Sequence, residues 1–302
     1  MAELVRRAHV LVPATSANLG PGFDALGLAL GLHDEVSAEL LGAENGVVEI
    51  DVEGEGAAEV PRDERHLVVR AMVAAYAELG RPLPALRLTC TNRIPHGRGL
   101  GSSAAAVVAG LLLARELAGG NSELDGDALL ELAAGLEGHP DNVAPCLLGG
   151  FTVAWTDARP RALRLDPHSS LTGVAFVPAQ PVATAYARQL LPATVPHADA
   201  ARNAGRAALL VAALTRNPAL LLPATEDALH QVYRRPAMPR SAQLVDDLRA
   251  EGIPAVISGA GPTVLALVNA AEAPVVSAHP AAEGFRALPL ELVREGAAAS
   301  PA

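Results

Sequence analysis

The segment Ile94-Pro-His-Gly-Arg-Gly-Leu-Gly-Ser-Ser-Ala-Ala-Ala106 runs directly into an apolar stretch that continues through Leu113. It reads as a phosphate cradle opening a buried helix. Gly97, Gly99 and Gly101 permit positive φ and let a ligand approach the backbone, while Ser102 and Ser103 place hydroxyls where the helix begins. Free N–H groups and the positive end of the helix dipole converge there, so a triphosphate can be held without a side-chain cation. All 23 basic residues of the chain are arginine, which excludes the GxxxxGK[ST] loop and its phosphate-binding lysine. The dinucleotide pattern GxGxxG fails on spacing, and no acidic residue about twenty positions on closes a following strand. The remaining alternative is a glycine-rich turn that only begins a core helix.

Outward from this stretch, 302 residues are more than one core usually fills, which predicts two domains. Half of the residues are hydrophobic and only 3% aromatic, so packing has to rest on Ala, Leu and Val. The net charge of −10 disfavours nucleic acid as a partner; an anionic substrate must be met by helix ends, a bound divalent cation and a few arginines. Cys90 and Cys146 lack CxxC spacing and read as buried thiols. Neither a signal peptide nor an apolar run long enough for a membrane is expected, which points to a cytoplasmic protein.

Along the chain, a strand is expected at 8–12, then a loop of small and turn-forming residues at 13–24 with Thr15, Ser16, Asn18 and Asp24 among glycines and prolines. A strand at 47–52 precedes a helix capped by Asp63 and stopped by Gly80, and alternation at 86–91 gives the strand that feeds the cradle. After the all-apolar helix from Ser103 to Leu117 comes a polar connection at 121–127 and a helix at 127–138, on which Glu131 lies opposite the apolar stripe. Glu137-Gly-His-Pro-Asp-Asn-Val-Ala-Pro145 reads as a turn that offers an imidazole, a carboxylate and an amide together. Strands follow at 151–156 and 171–177, with the domain boundary in the arginine-rich segment between them. Helices near 184–191, 199–215, 225–231 and 240–250, strands near 255–258 and 263–268, and a second glycine turn, Ser258-Gly-Ala-Gly-Pro-Thr263, complete an α+β chain whose end is expected to fray from Gly296.

Three stretches taken together, Ala14-Thr-Ser-Ala-Asn-Leu-Gly-Pro-Gly-Phe-Asp24, the Pro95–Ala105 cradle and Gly259-Ala-Gly-Pro262, resemble the three motifs of the superfamily of galactokinase, homoserine kinase, mevalonate kinase and phosphomevalonate kinase. The resemblance spans roughly Val10 to Val268. Within that group the chain is most similar to homoserine kinases, through the first loop, the Glu131–Gly150 segment and Thr184-Ala-Tyr-Ala-Arg-Gln-Leu-Leu-Pro192. The resemblance implies an N-terminal domain similar to domain 2 of ribosomal protein S5 over 1–165 and a ferredoxin-like C-terminal domain over 166–302, with the site between them. It implies ATP and Mg²⁺, with transfer of the γ-phosphoryl group to the side-chain hydroxyl of L-homoserine in threonine biosynthesis, and it leaves a homodimer open.

Residue by residue, the resemblance assigns Pro95, Gly97, Arg98, Gly99, Leu100, Gly101, Ser102, Ser103 and Ala104 to the phosphates and Ser103 with Glu131 to Mg²⁺. Asn18 and Asp24 are placed at the ammonium and hydroxyl end of the amino acid, Thr184, Arg188 and Arg234 around its carboxylate, and His139 and Asn142 beside the reacting chain. Arginine suits a carboxylate because it binds one bidentately. Arg98 either adds to the cradle's charge or points to solvent, and Arg235 competes with Arg234 for the clamp. The base is open between Asp141, as in related kinases, and no base at all, with Asn142 orienting the hydroxyl; a loose transition state demands little early deprotonation. One departure is His66, where an asparagine is expected beside the adenine. Rival readings are a sugar or mevalonate kinase of the same superfamily and a nucleotide-binding relative without turnover.

Overall fold

The computed structural model describes residues 6–42, 47–120 and 124–302; the start of the polar connection, at 121–123, lies outside them. The first sheet contains β1 (Arg7–Ala17), β2 (Leu26–Leu40), β3 (Val48–Gly54), β4 (Leu86–Asn92), β5 (Phe151–Thr156) and β6 (Pro160–Leu165). Between these strands run α1 (Leu67–Glu78), α2 (Ser102–Leu117), α3 (Gly126–Glu137) and α4 (Pro140–Leu148). β2 is long enough to serve two neighbours: Leu26–Leu28 pair with β5 and Glu35–Leu40 with β4.

The second sheet takes β7 (Leu171–Pro178), β8 (Ala255–Ile257), β9 (Val264–Asn269) and β10 (Phe285–Glu291) in the order β10-β7-β9-β8, with every pairing antiparallel. Between β7 and β8 lie α5 (Thr184–Gln189), α6 (His197–Thr215), α7 (Leu221–Ala224), α8 (Gln231–Arg234) and α9 (Pro239–Ala250), and α10 (Ala273–Ser277) follows β9. This is the βαββαβ order of a ferredoxin-like unit. β11 (Ala298–Pro301) then leaves it and pairs with β1, Leu11 opposite Ala298 and Ala8 opposite Pro301.

α2 is the central layer. It buries eleven residues, including Leu111, Leu112 and Leu113, as expected for a helix apolar around its circumference. One apolar cluster runs from this helix through β1 and β2 to Leu265, Leu267 and Leu290 of the second sheet, so the two halves share a core. Cys90 and Cys146 are buried free thiols, and burial pushes the Cys90 thiol up to about 12.

Several expectations change. β1 continues through Ala17 instead of stopping at Val12, because Pro13–Ala17 pair with β2. The segment 140–148 is helix α4, not a turn: Pro140 occupies the first helical position, where its fixed φ and missing N–H fit. The expected helix at 225–231 does not form, since the Asp227 carboxylate accepts from the N–H groups of Leu229, His230 and Gln231 and takes donors a helix would need. The end from Gly296 is held rather than frayed, and a boundary at 165/166 separates β11 from the sheet to which it belongs.

Candidate active site

The cleft lies where the cradle, the 18–24 loop, the start of α4, α5, α8 and the second glycine turn meet. Gly101 is left-handed at φ 73° and begins α2 with no side chain capping it, which leaves the first-turn N–H groups facing the cleft. A Cβ there would collide with the Thr15 hydroxyl, so position 101 has to be glycine on two counts. Asn18, Leu19 and Asp24 are also left-handed, at φ 68°, 50° and 55°. Three non-glycine residues held this way in one short loop mark a place where the surroundings enforce the backbone. The Asn18 amide donates to the Gly259 carbonyl at 2.8 Å and accepts from Asp24 N–H at 2.9 Å, which ties the first loop to the second glycine turn.

On the phosphate side, Ser103 Oγ donates to Glu137 Oε2 at 2.7 Å. Burial raises the Glu137 carboxyl above its usual range, a tendency the Ser103 bond only opposes. The Thr15 hydroxyl donates to Asn142 Oδ1 at 2.9 Å, and Thr15 N–H donates to the Leu100 carbonyl at 3.0 Å, so one residue fixes both the cradle and the amide. His139 Nδ1 lies 2.7 Å from Asp141 Oδ1, and both residues line the cleft; that bond raises the imidazole against the opposing effect of burial.

Facing these groups, Asp24 receives both Nη atoms of Arg188 at 2.9 Å. Arg234 is 1% exposed, and its donors go to Gly259 O, Ala187 O and His230 Nδ1 rather than to a carboxylate. Burial lowers its affinity for the proton, and the neighbouring Arg188 adds to this. His230, kept neutral by complete burial, accepts from Arg234 at Nδ1, donates its one ring N–H from Nε2 to Gly20 O and stacks on Phe23, with the Arg234 guanidinium 5.4 Å from the centre of the Phe23 ring. Arg235 points away and pairs with Asp246, so Arg234 alone reaches the cleft. Thr184, at the first turn of α5, completes that wall.

Beside the cradle a second cavity, about 190 Å³, is lined by Val60, Pro61, His66, Leu67, Asn92 and the Ser102–Ser103 end of α2. His66 is 6% exposed, burial holds it neutral, and its Nδ1 has no hydrogen-bond partner. A buried polar atom left open in an apolar slot signals a ligand group that belongs opposite it.

This geometry has relatives. Residues 66–150 match the N-terminal domain of GHMP kinases and residues 198–283 their C-terminal domain. The homoserine kinase of Streptomyces avermitilis is 60% identical over 295 residues, covering 97% of this chain and 95% of that protein. The chain belongs to the homoserine kinase family. A second homoserine kinase, from Streptomyces coelicolor, is 58% identical over 97% of this chain and 94% of its own length. The crystal structure of homoserine kinase from Cytophaga hutchinsonii superposes with a TM-score of 0.88 at 27% identity, covering 99% of each chain. Mevalonate-3-kinase from Thermoplasma acidophilum, at 14% identity and a TM-score of 0.68, shares the fold across 98% of this chain.

Two assignments carried over from the homoserine kinase motifs do not fit the cleft. Glu131 is half-exposed on the outer face of α3 and lies 3.7 Å from Arg159, away from the cradle. The carboxylate that meets Ser103 is Glu137, at the last turn of the same helix. Arg98 neither faces the phosphate position nor points to solvent; its guanidinium bonds the carbonyls of His96, Pro178 and Ala179. Thr15 stood out in the sequence only as one of the polar residues of the first loop, and Asp34 did not stand out at all. Asp34 accepts from Arg93 and Ile94 N–H at 2.6 and 2.8 Å and anchors the entry to the cradle, a task no spacing rule reveals.

Proposed function

We propose that this cleft transfers the γ-phosphoryl group of ATP to the side-chain hydroxyl of L-homoserine, giving O-phospho-L-homoserine for threonine biosynthesis. The observation that carries this reading is a site of two halves. One half is an uncapped helix start that favours phosphate; the other sets the Asp24 carboxylate beside two arginines, which suits a zwitterion. Mevalonate would leave the Asp24 carboxylate without a partner, and a neutral sugar would leave both the carboxylate and the arginines without one.

The residues fit ATP with Mg²⁺. Gly97, Gly99, Gly101 and the N–H groups at Ser102 and Ser103 would hold the phosphates, and the slot with the open His66 Nδ1 would take the base. Glu137 is a partly buried carboxylate bonded to a hydroxyl instead of an arginine, so a divalent cation between it and Ser103 would favour its charged form. Bound Mg²⁺ would neutralise charge on the β- and γ-oxygens.

In the amino-acid half, Asp24 and Asn18 take the ammonium group, and Arg234, Arg188 and Thr184 take the carboxylate. Asn142 orients the hydroxyl: its Oδ1 already accepts from Thr15 and keeps a second lone pair for the substrate O–H. Asp141 is engaged by His139, which favours orientation over early deprotonation as the main catalytic effect. The test is Mg²⁺-dependent ADP release with L-homoserine beside D-homoserine, L-serine, L-threonine, mevalonate and galactose at equal concentration. Strong preference for L-homoserine is expected, and preference for mevalonate or galactose would sink the zwitterion assignment. Full kcat in Asn142→Ala, with loss of several orders of magnitude in Asp141→Asn, would replace orientation by base catalysis.

A further inference from the structure

Arg98 sits in the middle of the cradle but directs its guanidinium away from the phosphate position. Its three bonds go to the His96 carbonyl of its own loop and to the Pro178 and Ala179 carbonyls where β7 ends. The next residues, Gln180 to Ala183, form a strap without helix or strand, exposed except at Val182, whose side chain is half-buried against the core of the second sheet. A backbone bond also ties it to the cradle, from Val182 N–H to the Gly97 carbonyl at 3.1 Å. Immediately beyond the strap comes α5, six residues that carry Thr184 and Arg188 into the cleft. The far end of α5 is held by Arg188 on Asp24 and by Arg234 on the Ala187 carbonyl. The helix is too short to be stable alone, so its position depends on these anchors.

We propose that Arg98 is a positioning residue that couples the two substrate sites, by clamping the strap and thereby setting where α5 presents Thr184 and Arg188. The inference rests on the assignment of the cradle to ATP and of α5 to the amino acid. A phosphate on the cradle N–H groups fixes the backbone at Gly97 and Gly99, and with it the base of the Arg98 side chain. Bonds from a charged donor to three carbonyls then pass that constraint to the strap. Since one guanidinium spans all three acceptors, a lysine ammonium cannot replace it. Coupling of this kind is reciprocal, so nucleotide tightens the amino acid by the same factor as the amino acid tightens nucleotide.

Calorimetric binding of L-homoserine to the full chain, with and without a non-hydrolysable ATP analogue and Mg²⁺, reads this coupling directly. In the unaltered protein the analogue is expected to tighten L-homoserine by about tenfold, within the usual range of such couplings. Arg98→Ala should bring that factor to about one, with nucleotide affinity in the absence of amino acid unchanged within about twofold. Steady-state kinetics should show the KM for L-homoserine raised while the KM for ATP at low L-homoserine stays in place. Coupling that survives in Arg98→Ala, a selective loss of nucleotide affinity, or no coupling in the unaltered protein would each overturn the proposal. Should Arg98→Ala fail to fold, Arg98→Lys decides: diminished coupling supports the clamp, and full coupling refutes it. Turnover of L-homoserine with undiminished coupling removes only the clamp, whereas no turnover by the unaltered chain removes both readings.

Discussion

The exchange of Glu131 for Glu137 turns on six positions of one helix. Both are glutamates of α3, but Glu131 faces outward, as its place opposite the apolar stripe predicts, while Glu137 sits in the last turn before Gly138. A left-handed glycine cap at φ 91° turns the chain there and brings the last-turn carboxylate over Ser103. Periodicity identifies an exposed face; it does not say which turn of the helix ends at the cleft. Glu137→Gln should lower kcat by about 10²–10³-fold and raise the Mg²⁺ requirement, while Glu131→Gln stays within about twofold of the unaltered enzyme. The reverse ranking would restore the assignment by motif.

His139 gives a pH signature at the same scale. Its bond to Asp141 raises the imidazole above the ordinary 6.5, although burial opposes this. A raised folded value means stability that is fully present below the unfolded value and lost as pH rises through the folded one. The stability difference between the unaltered chain and Asp141→Asn, measured by urea unfolding, should therefore be largest near about pH 6 and shrink towards about pH 9. A difference that grows with pH would contradict the pairing.

At the scale of elements, the cradle was legible because glycines at alternate positions before a serine pair and a long apolar run have few other uses. The price of that geometry is intolerance: Gly101→Ala combines a left-handed backbone with a collision at Thr15, the residue that also holds Asn142. It should cost about 2 kcal/mol or more in urea unfolding and over about tenfold in kcat. α4 was not legible as a helix, because His-Pro-Asp-Asn is rich in turn formers; only Pro140 at the first position and Asp141 in the first turn signal it in retrospect. β2 was hidden because its first part is continuously apolar and its second alternates, so neither period covers all fifteen residues.

For the molecule as a whole, the two-sheet α+β plan followed from length, interleaved elements and the family motifs, but the return of β11 did not. Gly-Ala-Ala-Ala-Ser-Pro has neither the β-branched residues nor the alternation of a strand; it pairs because β1 offers it an open edge. Deleting residues 297–302 should lower stability by about 2–4 kcal/mol, from the lost backbone bonds, and leave an edge prone to self-association, readable by thermal melting and light scattering. Unaltered stability would mean that the pairing contributes nothing. The shared core predicts something further: Trp155, the only tryptophan, reports on the first sheet, yet its fluorescence should melt at the same midpoint as far-UV circular dichroism, which reads both sheets. Separate midpoints would mean two independently melting domains.

The return of β11 also sets a clock on biosynthesis. The strand beside which it fits is made first, yet residues 298–301 leave the ribosome after the whole ferredoxin-like unit has been translated. At about 5–20 residues per second, the interval from the end of β6 is roughly seven to twenty-seven seconds, during which β1 carries an uncovered edge. A nascent chain of this protein thus has its phosphate cradle and most of its first sheet in hand while that sheet waits for its closing strand.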